Sequence, residues 1–193
     1  MSVNRRMIEH REANRPDERI DSYMMPIEQL VRYDGKRFQL EFANEAMSWL
    51  PKSDERLARP SYRGLLLEAV NEAVLDSAVD LLRDVYGERL IVFAPAVRCV
   101  IDQQVLQPIM HLRVNTLRAY AGAVRRDVAM RNSIILDEEL RFDGYMIRAT
   151  APLQSLLGHA KHLQSITKGN ASYWSWLSHY APKPPDDDGG SAA

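Results

Sequence analysis

Between residues 106 and 182 the spacing of apolar side chains alternates between two periods, and that alternation leaves few folds open. An apolar run at 106–117 is followed by a helical pattern at 118–132. Two strand-like runs lie near 133–136 and 145–150, then a second helical pattern at 153–168 and a last strand at 171–180. Side chains alternate across a strand and repeat every 3.6 residues around a helix, so the pattern predicts strand, helix, strand, strand, helix, strand. That order is the split βαβ or ferredoxin-like plan, an α+β fold with two helices on one face of a four-stranded sheet.

The upstream part reads as a charged N-terminal arm over 1–22 and a smaller, helix-rich α+β region over 23–105. In the arm, Arg5, Arg6, Arg11, Arg15 and Arg19 stand against Glu9, Glu12, Asp17, Glu18 and Asp21. Such a mixture is either a solvated, frayed helix or an arm that orders on a partner. Runs at 27–31 and 38–43 around Asp34-Gly35 predict a hairpin, with Phe38, Leu40 and Phe42 on one side. Residues 51–60 read as a polar loop, and Ser61 as the cap of a helix reaching Tyr86 that buries Leu67, Val70, Val74, Ala78, Leu81 and Val85. Glu68, Glu72, Asp76, Asp80 and Asp84 recur four apart, as a wet face or as one that meets a basic surface on a partner or on the C-terminal half. A further helix is predicted over 90–104, with Pro95 in its first turn. The tail from Lys183 is expected to be disordered.

Charge is unevenly shared. The net charge is −1, yet residues 106–182 hold nine Lys/Arg against five Asp/Glu. A local excess of that size permits contact with phosphates. The single cysteine, Cys99, excludes an internal disulfide, suits a reducing compartment and is expected as a small buried hydrophobe. No apolar run is long enough to cross a bilayer, so no membrane partner is expected. The first residues have neither the apolar core of a secretory signal nor the acid-poor composition of a transit peptide.

Signs of catalysis are missing. There is no Gly-x-x-x-x-Gly-Lys-Ser/Thr loop and no Asn-Lys-x-Asp guanine reader, so the chain is not a GTPase by itself. His159 and His162 are three apart on one helix without a neighbouring third ligand, which suits a polar helix face better than zinc. No catalytic residue, metal, cofactor or small-molecule substrate is expected.

Six anchors carry a resemblance. They are Leu106-Gln107-Pro108-Ile109-Met110, then Tyr120-Ala121-Gly122-Ala123-Val124, then Arg148-Ala149-Thr150-Ala151-Pro152-Leu153, then Gly158, then the run from Leu163-Gln164-Ser165 through Lys168-Gly169-Asn170 to Tyr173, and His179-Tyr180. In this order they resemble the fifth domain of elongation factor G and its relatives among translational GTPases. The resemblance covers about two fifths of the chain and makes 23–105 at most a shortened, divergent fourth domain. It implies the ribosome, through rRNA or ribosomal proteins, as partner, and the cytoplasm or an organelle matrix as venue. By position, the family's RNA-holding places follow the first helix and surround the second. Basic residues in this region are Arg118, Arg125, Arg126, Arg131, Lys161 and Lys168, and these are the RNA-binding candidates.

Aligned on the family's helix-facing positions, the last strand turns Tyr173, Ser175, Leu177 and His179 inward and Trp174, Trp176, Ser178 and Tyr180 outward. His111, Arg113 and Arg148 join them on the uncovered side. This aromatic and basic surface packs against 1–105, docks a protein partner through Trp and Arg hot spots, or stacks RNA bases. The reading that follows is a non-catalytic, ribosome-associated protein derived from the C-terminal part of a translational GTPase. The alternative is a protein-binding or oligomerising module that kept the fold and left the ribosome.

Overall fold

The computed structural model of the chain describes residues 24–184, so the expected arm at 1–22 and most of the expected tail lie outside the described residues. The first half consists of β1 (Ile27–Tyr33), α1 (Gln39–Trp49), β2 (Arg56–Ser61), β3 (Gly64–Ala69), α2 (Glu72–Tyr86), β4 (Leu90–Val92) and β5 (Ala96–Val97). Its antiparallel sheet runs β2-β3-β1-β4, with β5 also on β1. The second half consists of β6 (Val100–Asp102), β7 (Gln104–Leu117), α3 (Ala121–Ala129), β8 (Ile134–Leu140), β9 (Gly144–Pro152), α4 (Leu153–Leu156), α5 (His159–Ile166) and β10 (Ala171–Pro182). Its sheet runs β10-β7-β9-β8, and β6 folds back on the start of β7.

The C-terminal half therefore has the ferredoxin-like order that its periodicities require. Met110, Leu112, Val114, Ile147 and Ala149 are buried on one face of the sheet, together with Val124 and Val128 of α3, Leu156 of α4 and Leu163 of α5. The first half repeats the same plan: taken in chain order, the four main strands of each sheet lie second, third, first, fourth.

Three local expectations fail there, each for a physical reason. The second strand of the hairpin is instead α1. Phe42, Ala43 and Ala46 are buried at helical spacing while Phe38 stays exposed. Gln39 anchors the turn, its Oε1 accepting from the Tyr33 amide at 3.0 Å and its Nε2 donating to the Tyr33 carbonyl at 2.8 Å. The long helix expected from Ser61 is a hairpin followed by a shorter helix. Pro60 is tolerated because β2 is an edge strand, where a missing amide breaks no ladder. Ser61 bonds the Gly64 carbonyl across the turn, and Asn71 caps α2 by accepting from the Val74 amide at 3.1 Å. The buried stripe of α2 is Leu75, Ala78, Val79 and Leu82, so Leu81 and Val85 are exposed. Residues 90–104 are strands rather than a helix. β4 and β5 both pair with β1 and are interrupted at Phe93-Ala94-Pro95, where the proline can donate nothing to the ladder. Cys99 consequently lies exposed between β5 and β6 instead of buried on a helix.

The acid row splits its duties. Glu68 is buried in β3 and pairs with Arg98 at 3.0 Å and Arg59 at 3.4 Å. Glu72 and Asp76 meet the C-terminal half. Both Glu72 carboxylate oxygens accept from the Gly158 amide, at 3.0 and 2.9 Å, and Asp76 pairs with Lys161 at 3.1 Å. The buried apolar residues of the two halves form one cluster. The halves thus meet through the helical side of the second sheet, and its other face is left uncovered by the described residues of the first half.

Candidate functional site

Directly opposed residues of an antiparallel ladder share a face, so the register fixes what the open side presents. One row crosses the sheet as Trp174, Arg113, Arg148 and Asp137; the next begins Trp176, His111, Thr150. The Arg113 guanidinium lies 5.9 Å from the Trp174 ring centroid, within cation–π range. The His111 and Trp176 rings are 5.5 Å apart at 32°. Trp174 is 49% and Trp176 48% exposed. Arg148 is held by Asp137 at 2.6 Å. Packing of the indoles against residues 24–105 is therefore not what the structure shows.

Tyr180 leaves this group. A β-bulge between Leu177 and His179 inserts Ser178 as an extra residue, and the alternation inverts beyond it. His179 then opposes Ile109 on the open face, while Tyr180 opposes the buried Pro108 on the helix side. Ser178 Oγ sits 3.0 Å from both His111 Nε2 and His179 Nδ1. Strict alternation cannot anticipate such an insertion.

The six RNA-binding candidates separate into two kinds. Arg131 is turned inward: its Nε and Nη2 hold the two Asp127 oxygens at 3.1 and 3.0 Å, and its Nη1 donates to the Ser155 carbonyl at 2.8 Å. It ties the end of α3 to α4 instead of facing solvent. Arg125 pairs with Glu138 at 3.1 Å and Lys161 with Asp76. Arg118, Arg126 and Lys168 are exposed and have no carboxylate partner among the described residues. Arg118 and Lys168 lie at one end of the sheet, because β7 ends where β10 begins and Thr116 opposes Ala171.

A polar cluster that the sequence reading did not assemble lies beneath the helices. His159 and His162 both face Asp127, their Nε2 atoms 2.7 and 3.2 Å from its oxygens. His159 is fully buried against the edge of Tyr173, with ring centroids 5.0 Å apart. Among the described residues no group of three His, Cys, Asp or Glu is arranged to hold a metal ion, and no helix is long and apolar enough to cross a membrane.

The molecule is thus a pair of split βαβ sheets, the second carrying an open aromatic face and a cationic end. Residues 104–188 match the family model described as Elongation factor G C-terminus, which bears out the resemblance carried by the six anchors. Similar curated proteins include elongation factor G of Granulibacter bethesdensis, 37% identical over 81 residues, or 42% of this chain and 12% of that protein. Elongation factor G of Gluconobacter oxydans is 39% identical over 80 residues, 42% of this chain and 11% of that protein. Ribosome-releasing factor 2, mitochondrial, of Bos taurus is 33% identical over 86 residues, 45% of this chain and 11% of the relative. The chain matches only 11–12% of the length of these relatives. A crystal structure from Thermus thermophilus shares the fold at a TM-score of 0.59 and 17% identity, covering 83% of this chain and 41% of that one. That coverage extends beyond the C-terminal half, so the likeness includes part of the first sheet.

Proposed function

We propose that this chain is a non-catalytic, ribosome-associated protein built on the C-terminal part of a translational GTPase, acting in translation as a factor, an assembly factor or a ribosomal component. The observation that carries the reading is the match over 104–188, which spans the four main strands of the second sheet with its helices and links it to relatives named for elongation and ribosome release. Residues 23–105 and 106–182 act as its two units, each holding most of one sheet, with β6 and the start of β7 reaching from the first segment into the second sheet. The sequence carries no nucleotide-binding loop, so binding rather than hydrolysis is its work. Arg118, Arg126 and Lys168, free of carboxylates among the described residues, are the contacts offered to rRNA phosphates, and each phosphate neutralised adds salt dependence. The venue is the cytoplasm or an organelle matrix.

Sucrose-gradient sedimentation of cell extract tests this. At low salt the protein should travel with ribosomal particles and be partly released at high salt. Replacing Arg118, Arg126 and Lys168 by Gln should move release to lower salt. Sedimentation at the top of the gradient under both conditions would instead support a protein-binding or oligomerising module. That second reading is favoured by one observation, the exposure of Ile134, Leu136 and Leu140 on β8, an edge strand that pairs only with β9 among the described residues.

A further inference from the structure

We infer that the open face of the second sheet is a stacking platform for single-stranded RNA, with Trp174 and Trp176 as base contacts and Arg113 as the cation beside them. The inference names a ligand class for the ribosome-associated reading and rests on it.

Spacing comes first. Trp174 and Trp176 are two residues apart on one strand, so they project from the same face about 6.6 Å apart along it. Each keeps roughly half its surface exposed while one neighbour, Arg113 or His111, fixes its position. Rings held this way on a sheet lose little freedom when a base lands on them. Every base offers a π-face, so two such rings can take two unstacked bases whatever their identity.

Electrostatics then selects the ligand. β7, β9 and β10 contain no Asp or Glu. Apart from Asp102 at the end of the short β6, the carboxylates on the strands of this sheet lie in β8, where Asp137, Glu138 and Glu139 are taken up by Arg148, Arg125 and Arg141 at 2.6, 3.1 and 2.8 Å. A polyanion lying over β10 and β7 therefore meets Arg113 and His111 with no acid on those strands to repel it. Arg113, which stacks on Trp174, also lines an open groove of about 310 Å³ with Asn115, Met146, Arg141 and Asp143, a nucleotide-sized trough whose one carboxylate lies among two guanidinium groups, that of Arg141 paired with Glu139.

The test uses the full chain and a labelled, mixed-sequence RNA decamer, read by fluorescence anisotropy, with indole quenching as a second signal. The single strand should bind and quench, and binding should weaken as salt rises. The double change Trp174→Ala, Trp176→Ala should lower affinity about tenfold or more, with the thermal melt unchanged, and the double Phe variant should restore most of it. The Gln variant at Arg118, Arg126 and Lys168 should change decamer affinity by no more than about threefold, since distant sites act independently. Lost sedimentation with intact decamer binding would therefore sink the ribosome reading alone. The stacking platform is overturned if the decamer leaves indole emission unchanged, if the duplex binds as tightly, or if the double Ala variant keeps full affinity. Crosslinking of this face to a protein in RNase-treated extract would overturn it in favour of protein docking.

Discussion

The Nε2 of His159 lies 2.7 Å from the Oδ2 of Asp127, although the imidazole has no exposed surface. Burial, helped by the Arg131 charge, pushes His159 down to about 4 against the pull of Asp127. Burial works to raise the Asp127 carboxyl, but Arg131 and His159 outweigh it and the net direction is down. A neutral imidazole must then donate from Nε2 to the carboxylate, which leaves Nδ1 as the acceptor. Nδ1 is buried without a partner, an unsatisfied acceptor.

This pair makes stability depend on pH. The folded protein binds the His159 proton only near pH 4, whereas the unfolded chain binds it near 6.5, so unfolding takes up a proton between those values. Stability should be full above about pH 6.5 and fall by about 3 kcal/mol as pH drops to 4. Asp127, with its lowered carboxyl, adds a further loss below its ordinary value. Urea melts from pH 4 to 7.5 measure the slope, and His159→Phe should flatten it.

Arg131→Met leaves Asp127 buried without its bidentate partner. A stability loss of about 3 kcal/mol is expected, read by urea denaturation at pH 7. Because Arg131 faces inward, decamer affinity should stay unchanged in whatever fraction is folded. A fall in affinity at full stability would show that Arg131 reaches RNA after all.

Gly64 turns the β2–β3 hairpin with φ +135, and a Cβ there would come within 2.3 Å of the Val31 carbonyl oxygen. Gly64→Ala combines backbone strain with a clash against a central strand. It should cost about 3 kcal/mol, seen as a lower thermal midpoint.

Asn71→Ala removes the side-chain acceptor for the Val74 amide at the start of α2. The expected loss is about 1 kcal/mol. Asn71→Gly should cost only a few tenths of that, and equal losses for both variants would show that capping is not the cause.

The two halves differed in how far they could be read. In 106–182 the strands alternate except at the bulges in β8 and β10, and the helices keep their period, so element order and most facings follow from sequence. Upstream, Phe38, Leu40 and Phe42 alternate as a strand does, yet Phe42, Ala43 and Ala46 also mark a helical stripe; only the core contributed by β3 and α2 decides between them. The apolar run at 90–104 is ambiguous in the same way, and pairing with β1 makes it extended. For the candidate site, Trp174, Trp176, His111, Arg113 and Arg148 were placed by alternation, whereas Tyr180 was misplaced by the bulge at Ser178.

By itself the sequence determined the βαββαβ order of the C-terminal half, its likeness to a translational factor and the absence of a nucleotide loop, because periodicity and motif are local properties. Tertiary structure decided which cations stay free, since only three-dimensional packing brings Asp127 to Arg131, Glu138 to Arg125 and Asp76 to Lys161. It also decided that the indoles remain uncovered by the first half, because the halves meet through α2 and α5 on the opposite side of the sheet.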